Sequence, residues 1–166
     1  MKQHSIFIIV VAMCVAACSS HSQQTMQPKK ENKMEEKDAQ AMTENDWRKL
    51  LSAEQFYVLR EKGTERPGTG KFYKHAEKGI YVCGGCGNEL FTDEMKFDSH
   101  CGWPSFDKEI AGGKIKTNLD TTHGMVRTEI VCAKCGGHLG HLFDDGPTST
   151  GMRYCVNSLS LDFKKK

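Results

Sequence analysis

Polar and apolar positions divide this chain into four stretches. Ile6 to Ala17 (IFIIVVAMCVAA) is apolar and carries no charge. Ser19 to Met42 is polar, with no aromatic residue and Thr25 as its one β-branched residue. Such a segment cannot bury enough apolar surface to fold alone. From Thr43 the pattern changes. Trp47, Leu50 and Leu51, then Phe56, Val58 and Leu59, recur at the spacings of helical turns. Thr43 with Asp46, and Ser52 with Gln55, have the layout of helix N-caps. Gly63 supplies a stop, so one or two short helices are predicted.

After TERPGTG the helical period disappears. Short apolar runs alternate with glycine: KFYKH, GIYVC, ELF, MVRTEIVC, HLGHLF and RYCVNSLSLDF. In VRTEIV, Val126, Thr128 and Ile130 alternate with Arg127, Glu129 and Val131. In CVNSLSLDF, Val156, Ser158 and Ser160 fall opposite Asn157, Leu159, Leu161 and Phe163. Period two with turn residues between the runs predicts strands. The folded part, residues 43–166, is therefore expected to be mainly antiparallel β behind a helical start.

Composition adds bounds. A length of 166 residues suits one domain. A formal charge of +2 is too balanced to argue for nucleic acid or for an acidic substrate, and no nucleic-acid partner is expected. Lys2 and the apolar run, ending in Ala16 and Ala17 before Cys18, have the form of a secretory signal peptide over residues 1–17. The run is too short to span a membrane. VAAC looks like a bacterial lipobox, which would leave Cys18 as a lipid-modified N-terminus. Residues 18–42 then read as a lipid-anchored tether, and the chain as anchored rather than spanning. The expected location is the bacterial cell envelope facing the periplasm, with Ser19 favouring the outer membrane.

Cys83 and Cys86 lie in YVCGGCGNEL, Cys132 and Cys135 in IVCAKCGGHL. Two intervening residues let both thiolates of a pair face one ion. A glycine just after permits a tight, positive-φ turn. Four thiolates around one ion favour structural zinc, one per chain. Two other readings compete: redox-active pairs, or disulfides in an oxidising compartment. Cys101, in FDSHCGWPSF, and Cys155, in RYCVNS, remain. They could form a structural disulfide, or act as a nucleophile and its resolving partner. Arg153 lies on the same side of a strand as Cys155 and can favour its thiolate. Asn157 falls on that side too. His138 and His141 in HLGHLF are candidate proton donors, and neither has a carboxylate partner by spacing.

HLGHLFDDGP followed by RYCVNSLSL, with CGWPSF upstream and the doubled CxxC, resembles the methionine-R-sulfoxide reductases of the B type, from about Asp46 to Phe163. The resemblance implies a compact fold of two antiparallel sheets with N-terminal helices. It implies zinc on Cys83, Cys86, Cys132 and Cys135, Cys155 as nucleophile and Cys101 as resolving thiol. It places Trp103 and Phe106 in an apolar wall for the substrate methyl group. It places His138, His141, Asn157 and Arg153 on the polar side of that pocket. The chain departs from the family at His100, where glycine is usual. The implied partners are oxidised proteins as substrate and a thioredoxin-like reductant, with the enzyme a monomer. Two rival functions are a non-catalytic zinc-binding interaction module, which needs neither Cys101 nor Cys155, and a general thiol–disulfide exchanger without a sulfoxide pocket.

Overall fold

A computed structural model describes residues 39–166. The apolar leader, Cys18 and the tether up to residue 38 lie outside the described residues. Two short helices open the fold, α1 (Glu44–Leu50) and α2 (Ala53–Leu59). Both start on capping boxes. Thr43 Oγ1 accepts from the Asp46 N–H at 3.3 Å, and Asp46 Oδ2 accepts from the Thr43 N–H at 3.1 Å. Ser52 and Gln55 repeat the arrangement at the start of α2. Helices of 7 residues are not stable alone, so packing must hold them. Trp47, Phe56, Val58 and Leu59 supply it, all buried. Ala39 and Met42, N-terminal to the first cap, also pack on this core.

Nine strands follow: β1 (Gly79–Cys83), β2 (Glu89–Thr92), β3 (Lys96–Phe97), β4 (Ser105–Phe106), β5 (Ile115–Asp120), β6 (Arg127–Cys132), β7 (His138–Phe143), β8 (Arg153–Val156) and β9 (Leu161–Lys165). They form a three-stranded sheet, β2-β1-β9, and a six-stranded sheet, β3-β4-β8-β7-β6-β5. Every pairing is antiparallel. The expected class, mainly β with two antiparallel sheets and short N-terminal helices, is the one found. Phe91 of one sheet stacks on Phe106 of the other, ring centroids 4.0 Å apart and 8° from parallel. Both are fully buried.

Three segments differ from the pattern-based expectation. KFYKH is a turn, and its Phe72 plugs the core edge-on against Tyr81. RYCVNSLSLDF is two strands rather than one. A 3-10 turn at Ser158–Ser160 carries the chain from β8 in the six-stranded sheet to β9 in the three-stranded sheet. That turn buries Ser158, Ser160 and Leu161 together, against simple alternation. IKTNLD forms the edge strand β5, exposed along most of its length and so without an apolar signature.

The register of β7 decides what meets at the centre of the larger sheet. Ile130 faces Gly140, yet Val131 faces His138, so Leu139 is an extra residue in β7. Such a bulge turns residues three apart onto the same side of a strand. The His138 and His141 rings accordingly lie 5.6 Å apart. Gly140 sits at φ 154° against β8, where a Cβ would collide with the Cys155 carbonyl oxygen. Gly140→Ala should therefore cost about 3 kcal/mol of stability, at the upper end for overpacking. Urea denaturation of the two proteins measures the difference.

Candidate active site and metal centre

The two CxxC segments are the turns β1–β2 and β6–β7, built alike. The Gly87 N–H donates to the Cys83 carbonyl at 2.8 Å, and the Gly136 N–H donates to that of Cys132 at 2.8 Å. Gly87 has φ 69° and Gly136 φ 70°, a conformation that glycine adopts without strain. A Cβ at either would meet nothing, so the requirement is conformational. The turns face each other across the two sheets. Cys83 Sγ lies 3.7 Å from Cys135 Sγ, and Cys86 Sγ 3.6 Å from Cys132 Sγ. All four sulfurs fall within 4.8 Å of one another. A tetrahedral ion with metal–sulfur bonds of about 2.3 Å needs sulfurs about 3.8 Å apart, so the cluster fits one. Four sulfur ligands leave no coordination position for a substrate. Arg60 ties α2 to this centre, donating to the Cys135 carbonyl at 3.1 Å.

The second cysteine pair comes from β8 and from the loop between β3 and β4. Cys155, on β8, faces Ser105 of β4 on one side and His141 of β7 on the other. His141 in turn faces Glu129 of β6, and Glu129 faces Asn118 of β5. One rung across the sheet thus brings sulfur, imidazole and carboxylate into line. Cys155 and His141 border a cavity of about 120 Å³ with Trp103, Phe143, Thr64 and Asn157. The Cys101 sulfur is 3.7 Å from that of Cys155.

Two sulfurs this close share one negative charge. The hydrogen bond from Cys155 pulls Cys101 down to about 4, against burial, with Ser99, the Trp103 backbone and Ser105 adding to it. The same contact pushes the Cys155 thiol up, burial reinforces it, and the Arg153 charge opposes both. Arg153 is held by Asp145, with Nε 2.7 Å from one carboxylate oxygen and a second nitrogen 2.8 Å from the other. It also covers the Phe143 ring at 4.3 Å. From there it favours any arrangement that moves charge to Cys155.

Both histidines have carboxylate partners, supplied by neighbouring strands rather than by local spacing. His141 Nε2 lies 2.8 Å from Asp120 Oδ2. The Thr122 hydroxyl and N–H hold Asp120 well below the usual carboxylate range, with His141 and Arg127 contributing. An anionic acceptor fixes the His141 proton on Nε2 and leaves Nδ1 to exchange protons. His138 Nδ1 lies 2.8 Å from Glu129 Oε1, and Lys62 and Asn118 bond Oε2 of the same carboxylate at 2.9 and 3.2 Å. Burial raises Glu129, but these three partners outweigh it and the carboxyl lies low. Burial pushes His138 down despite Glu129, which favours its neutral imidazole. Its Nε2 is buried and unpartnered. His138 faces the neighbouring polar cavity of about 420 Å³, whereas His141 borders both cavities.

The remaining expectations divide. Trp103 is at the cavity, its indole N–H donating to the Glu65 carbonyl at 3.2 Å. Asn157 is there with both amide ends engaged, accepting from the Glu65 N–H at 3.1 Å and donating to the Leu139 carbonyl at 3.1 Å. Phe106 does not reach the cavity. Its position in β4 alternates with Ser105, which puts its ring in the core against Phe91 and Tyr81. Phe143 lines the cavity. His100 has φ 57°, and its ring, 85% exposed, pairs with Asp98. What position 100 demands is a left-handed backbone, which suits glycine. Glu65, Asp120, Glu129 and Phe143 had no local signal in the sequence.

The SelR domain family matches residues 51–165. Among curated relatives, the peptide methionine sulfoxide reductase MsrB of Methanosarcina barkeri is 52% identical over 122 residues, 74% of this chain and 86% of that protein. The protein of the same name from a Synechococcus strain is 58% identical over 124 residues, 75% of this chain and 91% of its own. That of Hahella chejuensis is 57% identical over 121 residues, covering 73% and 87%.

The four-sulfur cluster makes a direct prediction. Purified protein should contain about one metal ion per chain, and Cys83→Ser should bring this near zero and lower the melting temperature by at least about 10 °C. Metal analysis by mass spectrometry and a thermal melt test both.

Proposed function

The chain belongs to the SelR-domain family of MsrB methionine sulfoxide reductases, and we propose that Cys155 is the nucleophile with which it reduces the R epimer. The activity is reduction of methionine sulfoxide to methionine, with oxidised proteins as substrate and a thiol as reductant. One observation carries the assignment of residues. Two free cysteines lie 3.7 Å apart beside a cavity walled by Trp103, Phe143 and His141.

A sulfoxide sulfur is a poor electrophile until its oxygen is protonated. Trp103 and Phe143 seat the methyl group, and that seat selects the epimer. His141, oriented by Asp120, gives a proton from Nδ1 to the sulfoxide oxygen. The proton on Cys155 passes to Cys101 across their hydrogen bond, and Arg153 stabilises the new thiolate. Cys155 attacks the sulfoxide sulfur. Methionine leaves reduced by two electrons, and the oxygen stays on Cys155 as a sulfenic acid. Cys101 then attacks Cys155, forming a disulfide and releasing water. Exchange with a thioredoxin-like domain restores both thiols. His138, neutral and facing the second cavity, supports His141 rather than serving as the acid. Asn157 positions the end of β8.

Zinc suits the four-sulfur centre, since thiolate-only tetrahedral sites favour it over harder ions. It would brace the two turns and take no part in the reaction. The leader and Cys18 support a lipid-anchored protein in the cell envelope, facing the periplasm and favouring the outer membrane. There its reductant would be a membrane-delivered thioredoxin-like domain.

The test offers the full chain, in dithiothreitol, the R and S epimers of a blocked methionine sulfoxide separately. The R epimer alone should be reduced, and Cys155→Ser should abolish the reaction. Trp103→Ala should raise KM about tenfold or more, as for a lost aromatic anchor. Reduction of both epimers, or activity surviving in Cys155→Ser, would overturn the reading. Indifference to Trp103→Ala would favour a general thiol exchanger.

A further inference from the structure

Two serine hydroxyls lie against the resolving thiol, and neither has a role in the steps above. Ser99 Oγ is 3.0 Å from Cys101 Sγ and 2.7 Å from Ser105 Oγ. Ser105 Oγ is itself 3.6 Å from that sulfur. Ser105 is fully buried in β4, where the ladder pairs it with Cys155, so the sheet fixes its place beside both cysteines. Ser99 sits half-buried on the loop that carries Cys101. A hydroxyl has one proton to donate and can also accept. The Ser105 proton has two acceptors in reach, Ser99 Oγ at 2.7 Å and the more distant Trp103 carbonyl at 3.4 Å; with Ser105 donating to Ser99 and Ser99 donating to sulfur, the chain of hydrogen bonds ends on Cys101. Each bond then polarises the next. A protonated Cys101 has a different acceptor, the Trp103 carbonyl at 3.5 Å. The hydroxyl chain therefore favours the thiolate form.

We propose that Ser99 and Ser105 form a hydroxyl relay for the resolving step, holding Cys101 as the thiolate that attacks oxidised Cys155. The inference rests on the reading of Cys155 as nucleophile and Cys101 as resolving thiol. In the step, Cys101 gives up the proton it took from Cys155, and its thiolate attacks the Cys155 sulfur. The sulfur–sulfur bond forms and the sulfur–oxygen bond of the sulfenic acid breaks. Hydroxide leaves and takes up a proton to become water. Cys101 is oxidised and Cys155 reduced.

The relay acts with opposite sign on the two halves of the cycle. Charge held on Cys101 keeps the proton on Cys155 and so opposes the first attack. Once Cys155 is a sulfenic acid, the same preference for a charged Cys101 helps it lose that proton and drives the second. The other groups acting on Cys101 are Cys155 and Arg153 from β8 and the Trp103 backbone, whereas Asp98 and His100, on the same loop, pair with each other. Ser99→Ala leaves all of these in place, and the half-buried loop position tolerates the change.

The experiment follows the full chain through one turnover, without reductant, on a blocked R methionine sulfoxide. Rapid quench measures methionine, thiol titration measures disulfide, and dimedone traps sulfenic acid. Ser99→Ala should release methionine as fast as the unaltered protein, or faster. Its disulfide should form about tenfold more slowly or worse, as when a hydrogen bond to a charged group is lost. More dimedone adduct should accumulate, and the pH profile of disulfide formation should move to higher pH. Ser99→Thr, which keeps the hydroxyl, should restore the rate. Unchanged disulfide formation in Ser99→Ala would overturn the proposal, as would an equal slowing of both steps. If the unaltered protein releases methionine but forms no Cys101–Cys155 disulfide, the resolving role itself fails and the relay falls with it.

Discussion

The site depends on one irregularity in backbone pairing, the extra residue at Leu139 in β7. Without it His138 and His141 would point to opposite faces of the sheet. With it they share a face, and His141 comes level with Cys155 on one side and Glu129 on the other. The bulge brings β7 so close to β8 that only glycine fits at position 140. A regular strand would keep the hydrogen-bond ladder and lose the alignment of the two imidazoles beside Cys155.

Around that rung the fold places fixed charges through buried hydrogen bonds. Glu129 and Asp120 orient the two histidines, each held ionised by neighbours from other elements. Glu65 does a third task. Its carboxylate accepts from the Ser158 and Leu159 N–H groups at 2.6 and 3.0 Å, and its backbone holds Trp103 and Asn157. Buried polar groups that lose a partner cost more than the hydrogen bond itself, so this network resists displacement. The cysteine cluster adds a staple between the turns β1–β2 and β6–β7, joining the two sheets at the root of β7.

Much of this was legible in the chain because it rests on local chemistry. The capping boxes at Thr43 and Ser52, the glycines after each CxxC and the strands GIYVC, ELF and HLGHLF carry their reasons within a few residues. What was not legible depends on register. Asp120 lies on IKTNLD, whose exposed edge position gives no apolar alternation. Glu129 reads as one outward residue of an ordinary strand until β7 is laid beside it. Phe106 and Phe143 are alike in sequence. Which one faces the cavity follows from where Ser105 pairs with Cys155. Likewise, nothing local shows that the two thiols meet, because the pair is made between residues 54 positions apart.

The central claim is that Cys155 takes the oxygen from the substrate. The direct measurement uses Cys101→Ser, which has no resolving thiol, and methionine sulfoxide labelled with oxygen-18. After one turnover, peptide mapping by mass spectrometry should find the heavy oxygen on Cys155, with one methionine released per chain. Methionine released with no label on Cys155, or with the label on another residue, would contradict the account.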